Sequence, residues 1–142
     1  MKRILSLILA IALACGCMLT LASCGAPKLE GTYTGNFLYD DTFTVTIKKN
    51  KTVELSLTLD ADDSVEKATG SYEIVADEGH NHGDSSEVMK FTVTSDKENG
   101  LLSNLNGKEF LYTLKKENGK KTLTLSLHGT GNWTMNLAEV EK

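Results

Sequence analysis

Arginine is nearly missing from this chain: Arg3 is the only one. Arginine is the side chain best shaped to grip a phosphate or carboxylate through two parallel hydrogen bonds. A phosphorylated or dicarboxylate ligand is therefore disfavoured, with lysine left as a point charge. Cysteine is almost as scarce, with Cys15, Cys17 and Cys24 as the whole set. From residue 25 onward there is no disulfide and no thiol nucleophile, so that part folds on its hydrophobic core alone. A capped, helix-period pattern is also missing after residue 24, and Asp60 to Thr69 has room for one turn at most. No Gly-rich loop follows a strand and opens a helix to cradle phosphate, and no serine stands in a nucleophile elbow. A basic surplus is missing as well. Lys and Arg number 15 against 19 Asp and Glu, a net charge of −4, which leaves no electrostatic footprint for nucleic acid.

What is present starts at the N-terminus. Lys2 and Arg3 precede an almost uninterrupted apolar run, Ile4 to Leu21, and then Ala22-Ser23-Cys24. Charge, apolar stretch and small residues in that order make a secretory signal. With cysteine at the junction, Leu21-Ala22-Ser23-Cys24 resembles the lipobox of bacterial lipoproteins. The resemblance implies diacylglyceryl (palmitate-type) acylation of the Cys24 sulfur, cleavage before it, and a lipidated N-terminus. It places the protein outside the cytoplasm, held by lipid on a bacterial plasma membrane or outer membrane. The alternative, an uncleaved transmembrane helix over residues 4–21, has nearly enough length. Ala12 stands where a lipobox leucine belongs before Cys15, which makes that cysteine the weaker acceptor, and Cys17 fits worse.

Three parts follow: a signal peptide over 1–23, a lipidated cysteine and short tether over 24–28, and a folded domain over 29–142. Removing the signal takes away Lys2 and Arg3, so 15 basic residues fall to 13 against 19 acidic ones, a net charge of −6. Anionic headgroups repel such a domain mildly, so acyl chains hold it at the membrane. The tether, Gly25-Ala26-Pro27-Lys28, leaves about six residues before the first strand, a reach of at most roughly 20 Å.

The domain reads as β throughout, by strict alternation of apolar and polar residues. Phe43, Val45 and Ile47 alternate with threonines over Thr42 to Lys49. Val53, Leu55, Leu57 and Leu59 do so over Thr52 to Asp60. Phe110, Tyr112 and Leu114, then Leu123, Leu125 and Leu127, then Trp133, Met135 and Leu137 mark three more strands. Weaker strands are Thr32 to Tyr39, Gly70 to Val75 and Val88 to Ser95. Asn118-Gly119 is the strongest short hairpin signal available. Lys49-Asn50-Lys51 and Gly129-Thr130-Gly131-Asn132 are two further tight links. Leu101 to Leu105 reads as a short strand or an irregular loop. About eight strands in an antiparallel up-and-down meander, each with one apolar face, close into a small barrel or a half-open version of one. A two-sheet sandwich is the alternative.

Leu29-Glu30-Gly31-Thr32-Tyr33 opens the domain much as a G-x-W segment opens lipocalin-like barrels. With the Thr-rich strands, Gly70-Ser71-Tyr72-Glu73-Ile74 and the closing hairpin, residues 29–140 resemble small lipocalin-like lipoproteins of bacteria. Two departures stand out. Tyr33 replaces the opening tryptophan, with the sole tryptophan, Trp133, in the last strand. The arginine that caps that tryptophan in many lipocalins has no counterpart.

Candidate sites are few. His80 and His82, two apart in an extended segment, point the same way, and with Asp84, Asp77 or Glu78 they form a possible zinc, copper or nickel set. The competing reading is a solvated loop. Asp60, Asp62, Asp63 and Glu66 form an acidic loop, either a weak calcium site or a solvated turn, and the EF-hand spacing fails at Val65 and Ser71. Every inward position reads as apolar, aromatic or glycine, so no carboxylate pair is expected inside the barrel and the chain reads as non-enzymatic. The aromatic residues, Tyr33, Phe37, Tyr72, Tyr112 and Trp133 among them, line either a ligand cavity or a filled core with a shallow pocket at one mouth. The expected function is binding: a small apolar or amphipathic ligand, another envelope protein, or a metal at the histidine loop. No cofactor is expected beyond the covalent lipid.

Overall fold

The computed structural model describes residues 28–76, 87–129 and 133–141. The chain runs through β1 (Gly31–Asn36), β2 (Thr42–Ile47), β3 (Thr52–Thr58), β4 (Val65–Ala76), β5 (Glu87–Ser95), a 3₁₀ turn (Leu102–Leu105), β6 (Glu109–Glu117), β7 (Lys120–Leu127) and β8 (Thr134–Glu139). Each strand pairs antiparallel with the next in sequence, and β8 returns to β1. The result is an all-β, closed, eight-stranded up-and-down barrel. It agrees with the lipocalin-like architecture and removes the sandwich alternative.

The alternation seen in the sequence is the cause. On β2, Phe43, Val45 and Ile47 are buried, while their threonine neighbours sit at the surface. On β3, Val53, Leu55 and Leu57 repeat the pattern, as do Leu123 and Leu125 on β7 and Met135 and Leu137 on β8. Inner faces pool into one core around Tyr33, Phe43, Phe91, Phe110, Met89 and these leucines. Each large side chain taken from water contributes roughly 1.5–3 kcal/mol, which is how a domain without a disulfide holds together. Outward threonines pair across strands: Thr32 with Thr46 at 3.1 Å and Thr34 with Thr44 at 3.0 Å.

The barrel has two unlike ends. One, here the terminal end, carries residues 28–30, the β2–β3, β4–β5 and β6–β7 connections and the C-terminal residues. The other, the loop end, carries the β1–β2, β3–β4, β5–β6 and β7–β8 connections. Closure between β1 and β8 is narrow, with only Tyr33↔Glu139 and Thr34↔Ala138 in register. Gly35 makes that seam possible, because a Cβ there would lie 2.4 Å from the main-chain oxygen of Asn136. Between β5 and β6 the ladder is three pairs long. Beyond it the loop stands in for a strand: Val93 donates its N–H to Asn106 Oδ1 at 3.1 Å, and Gly107 donates to the Phe91 carbonyl at 2.8 Å.

Asp60 to Thr69, with room for one helical turn at most, holds none, and β4 begins at Val65. Three expectations need correction or bounding. Leu101 to Leu105 is neither strand nor irregular loop but leads into the 3₁₀ turn, which buries Leu102 and Leu105. The inner face is not wholly apolar, since Glu66, Lys121 and Glu139 fall in phase with buried positions on β4, β7 and β8. The signal-peptide segment and Cys24 lie outside the described residues.

Candidate functional site

At the loop end an apolar cleft of about 270 Å³ opens between the β1–β2 loop, the 3₁₀ turn and the start of β8. Phe37, Leu38, Leu101, Leu105, Leu127 and Trp133 line it, with Asn104 and Lys108 as exposed polar members. Its volume falls near the lower end of small-molecule sites, about 300–1,000 Å³, and suits one or two fused rings. Phe37 and Trp133 meet edge-to-face with centroids 5.0 Å apart. From there the aromatics continue inward, Trp133 to Phe110 at 6.0 Å and Phe110 to Phe91 at 5.5 Å, with Phe37 also 5.8 Å from Phe43. The floor of the cleft is thus the top of the core.

One wall of the cleft is held by a buried carboxylate. Glu66, 4% exposed, points inward from β4 and accepts three hydrogen bonds. Ser95 Oγ donates to Oε1 at 2.6 Å, Leu102 N to Oε1 at 2.9 Å, and Leu101 N to Oε2 at 2.9 Å. Two of these donors lead into the 3₁₀ turn, whose first amides have no partner within the turn itself. Gly100 is there because a Cβ would stand 2.1 Å from Glu66 Oε1. Glu66 is therefore not part of an acidic surface loop. Asp62 caps the loop locally, accepting from Ser64 N at 3.0 Å, and hydrogen bonds from Ser64 hold its carboxyl below the usual range. Asp41 Oδ1 accepts the Asp60 N–H at 3.0 Å.

The terminal end is closed differently. Lys121 Nζ donates to the Lys28 carbonyl at 3.0 Å, the Glu30 carbonyl at 2.7 Å and Glu139 Oε1 at 2.9 Å. The Tyr33 hydroxyl donates to the Leu29 carbonyl at 2.8 Å. Three successive main-chain carbonyls are thus tied down from inside the barrel. Burial pushes the Tyr33 phenol up, more than the neighbouring Lys121 cation draws it down. A wider groove of about 850 Å³ lies at this end, along Thr32, Thr46, Lys48, Lys49, Glu139 and Val140, with no aromatic side chain in its lining.

The five aromatic candidates therefore separate. Phe37 and Trp133 come together in the loop-end cleft. Tyr33 is fully buried and bonded, so it lines no cavity. Tyr72 and Tyr112, half-buried, lie toward the terminal end, where Tyr112 donates to Glu87 Oε2 at 3.1 Å. Burial raises both phenols, with Glu30 adding to the effect on Tyr72 and Glu87 to that on Tyr112. His80, His82 and Asp84 lie outside the described residues, as does Cys24. Among the described residues no three His, Cys, Asp or Glu side chains are grouped so as to hold a metal ion. Glu66 and Glu139 face inward at opposite ends and form no pair. The sequence reading missed Leu101, Leu105, Lys108 and the Glu66 support. Only the apolar Leu101-Leu102 and Leu105, four apart at most, hinted that this loop packs inward. No family model matches the chain, and neither a curated protein nor a solved structure does.

Proposed function

We propose that the chain is a non-enzymatic, lipid-anchored extracytoplasmic lipoprotein with a lipocalin-like barrel. Its loop-end cleft binds a small apolar or amphipathic ligand. The anchor is Cys24, on the strength of Leu21-Ala22-Ser23-Cys24 after a charged and apolar leader. Two acyl signals or more suffice for stable attachment. The observation that carries the binding reading is the edge-to-face pair Phe37–Trp133 with its aromatic edge open in a cleft walled by leucines. Apolar walls supply affinity by removing ligand surface from water, and Asn104 and Lys108 offer polar contacts for orientation.

Trp133 is the only tryptophan, so its emission reports on this site directly. Titration with a neutral naphthalene and with anilinonaphthalene sulfonate should give saturable quenching or energy transfer from Trp133. Asn104→Phe, placed on an exposed cleft position, should fill the space and weaken binding by about tenfold, the equivalent of 1.4 kcal/mol. A linear, unsaturable response, or binding indifferent to Asn104→Phe, would remove the reading.

A second reading, docking of an envelope protein at the same end, draws on Leu38 and Leu101, each 40% exposed, and on Tyr39, 97% exposed. Exposed apolar groups close together are what such contacts use. A partner that competes with the naphthalene probe would favour it.

A further inference from the structure

We infer that the terminal end of the barrel is the face laid against the bilayer, so that the loop-end cleft opens away from the membrane. The inference rests on the lipid-anchor reading and adds an orientation to it. Its first support is where the chain leaves the barrel. The carbonyls of residues 28, 29 and 30 are fixed at the terminal end by Lys121 and Tyr33. Four residue steps separate Lys28 from Cys24, a span of at most about 14 Å. The eight residues of β7, tilted as barrel strands are, rise about 20 Å. The tether is shorter than the barrel is tall, so the end from which it departs stays near the headgroups.

Charge points the same way. The loop-end connections carry Asp40, Asp41, Asp60, Asp62, Asp63, Asp96 and Glu98 against Lys97 and Lys108. At the terminal end, residues 28–30, 48–51, 72–76, 87–90, 115–121 and 139–141 hold nine lysines against six glutamates. Two of those glutamates already face lysines: Glu139 bonds Lys121 at 2.9 Å, and Glu141 lies 3.6 Å from Lys120. Lys48 is paired with Glu54 on β3. Lys49, Lys51, Lys115 and Lys116 are exposed and form no ion pair with another of the described residues. The β4–β5 connection over 77–86 lies outside the described residues, and its sequence adds Asp77, Glu78 and Asp84 to the acids of this end. Anionic lipid attracts lysines near its surface by about 1 kcal/mol each and repels the aspartate loops, within a Debye length of about 10 Å or less. The acidic excess of the domain thus lies in the loop-end connections, whereas lysines offset the acids at the terminal end. The cleft then meets the aqueous space, and its ligand arrives from solution rather than from the bilayer.

The test places one fluorophore at either end of the lipidated chain. Lys116→Cys and Glu98→Cys give single labelling sites, since acylation occupies Cys24. The protein is bound to phosphatidylcholine vesicles containing phosphatidylglycerol and a headgroup spin-labelled lipid. The label at position 116 should be quenched several-fold more than the label at 98. Equal quenching, or stronger quenching at 98, overturns the orientation while leaving the anchor standing. Failure of the lipidated chain to float with the vesicles overturns the anchor and the orientation together.

Discussion

Lys121 Nζ lies 5.5 Å from the centre of the Tyr33 ring, joining the inner face of β7 to that of β1 across the closing strand β8. The pair is thus built from a lysine on β7 and a tyrosine on β1. The ammonium also takes two carbonyls and a carboxylate, so one side chain links the entry segment, β1 and β8. A cation over an aromatic face contributes about 0.5–1 kcal/mol when exposed and more when desolvated.

The same cluster sets a pH response. The bond from Lys121, with the charge behind it, holds the Glu139 carboxyl below its usual range. Burial pulls Lys121 down, but its bond to Glu139 and the adjacent Tyr33 outweigh that and leave it raised. Tyr33 is raised by burial. A depressed carboxyl contributes stability at neutral pH that disappears as pH falls through its folded value. A raised lysine or phenol contributes stability that is full below its ordinary value and disappears as pH climbs through the folded one. Urea midpoints should therefore be level from about pH 5 to about pH 9 and fall on both sides. Glu139→Gln should make the acid limb shallower, leaving the share from Asp62, and keep an alkaline limb from Tyr33. A variant whose acid limb keeps the wild-type slope would show that Glu139 is not the group titrating.

Glu66 is tested by a change of one atom. In Glu66→Gln the amide oxygen can still serve Ser95 and Leu102, but the amide nitrogen then faces the Leu101 N–H, donor against donor. An unsatisfied buried donor costs about 1–3 kcal/mol, which urea unfolding should register. Loosening of the 3₁₀ turn should also move the cleft wall. Trp133 emission should shift to the red, and the amides of Leu101 and Leu102 should lose protection in hydrogen exchange. Unchanged stability and emission would mean that the turn stands without its carboxylate support.

How much of this was legible in the sequence depends on what each residue faces. Strands β2, β3, β7 and β8 announce themselves because large apolar residues alternate with polar ones, and β6 does so with one interruption at Leu111. The first half of β4 does not, because its inward residues are Glu66 and Ala68, a carboxylate and a methyl, where the pattern demands bulk. Aromatic residues could be assigned to the inner face but not to an end. Alternation fixes which way a side chain points and is silent on depth, which follows from strand register. That is why Tyr33 and Trp133 looked equivalent, although Tyr33 is fully buried at one end of the barrel and Trp133 lines a cleft at the other. Lys121 was readable after the fact, in phase with Leu123, Leu125 and Leu127. It was passed over because a charge at the head of a run looks like a solvated strand end. The cleft wall comes from a loop whose packing depends on Glu66, 35 residues away from Leu101 in the chain, and no local pattern encodes that pairing.

Tyr39 offers the last prediction. It sits in the β1–β2 loop with φ at 56° and 97% of its surface in water. A left-handed backbone costs a residue with a Cβ roughly 1–2 kcal/mol, less for asparagine, whose side chain bonds locally. With so little of the ring buried, nothing in its packing offsets that cost. Tyr39→Asn should accordingly raise stability by about 0.5–1 kcal/mol, seen as a higher urea midpoint with unchanged slope. Binding of the naphthalene probe should not move, since Tyr39 lines a separate cleft with Asp40, Asp41 and Leu59 rather than the one with Trp133. A strained backbone spent on holding an aromatic ring in solvent gives the folded chain nothing by itself. The envelope-partner reading explains it if Tyr39→Asn weakens capture of a partner while sparing the probe. A fall in stability would instead show that the ring packs in solution, and would take Tyr39 out of any contact surface.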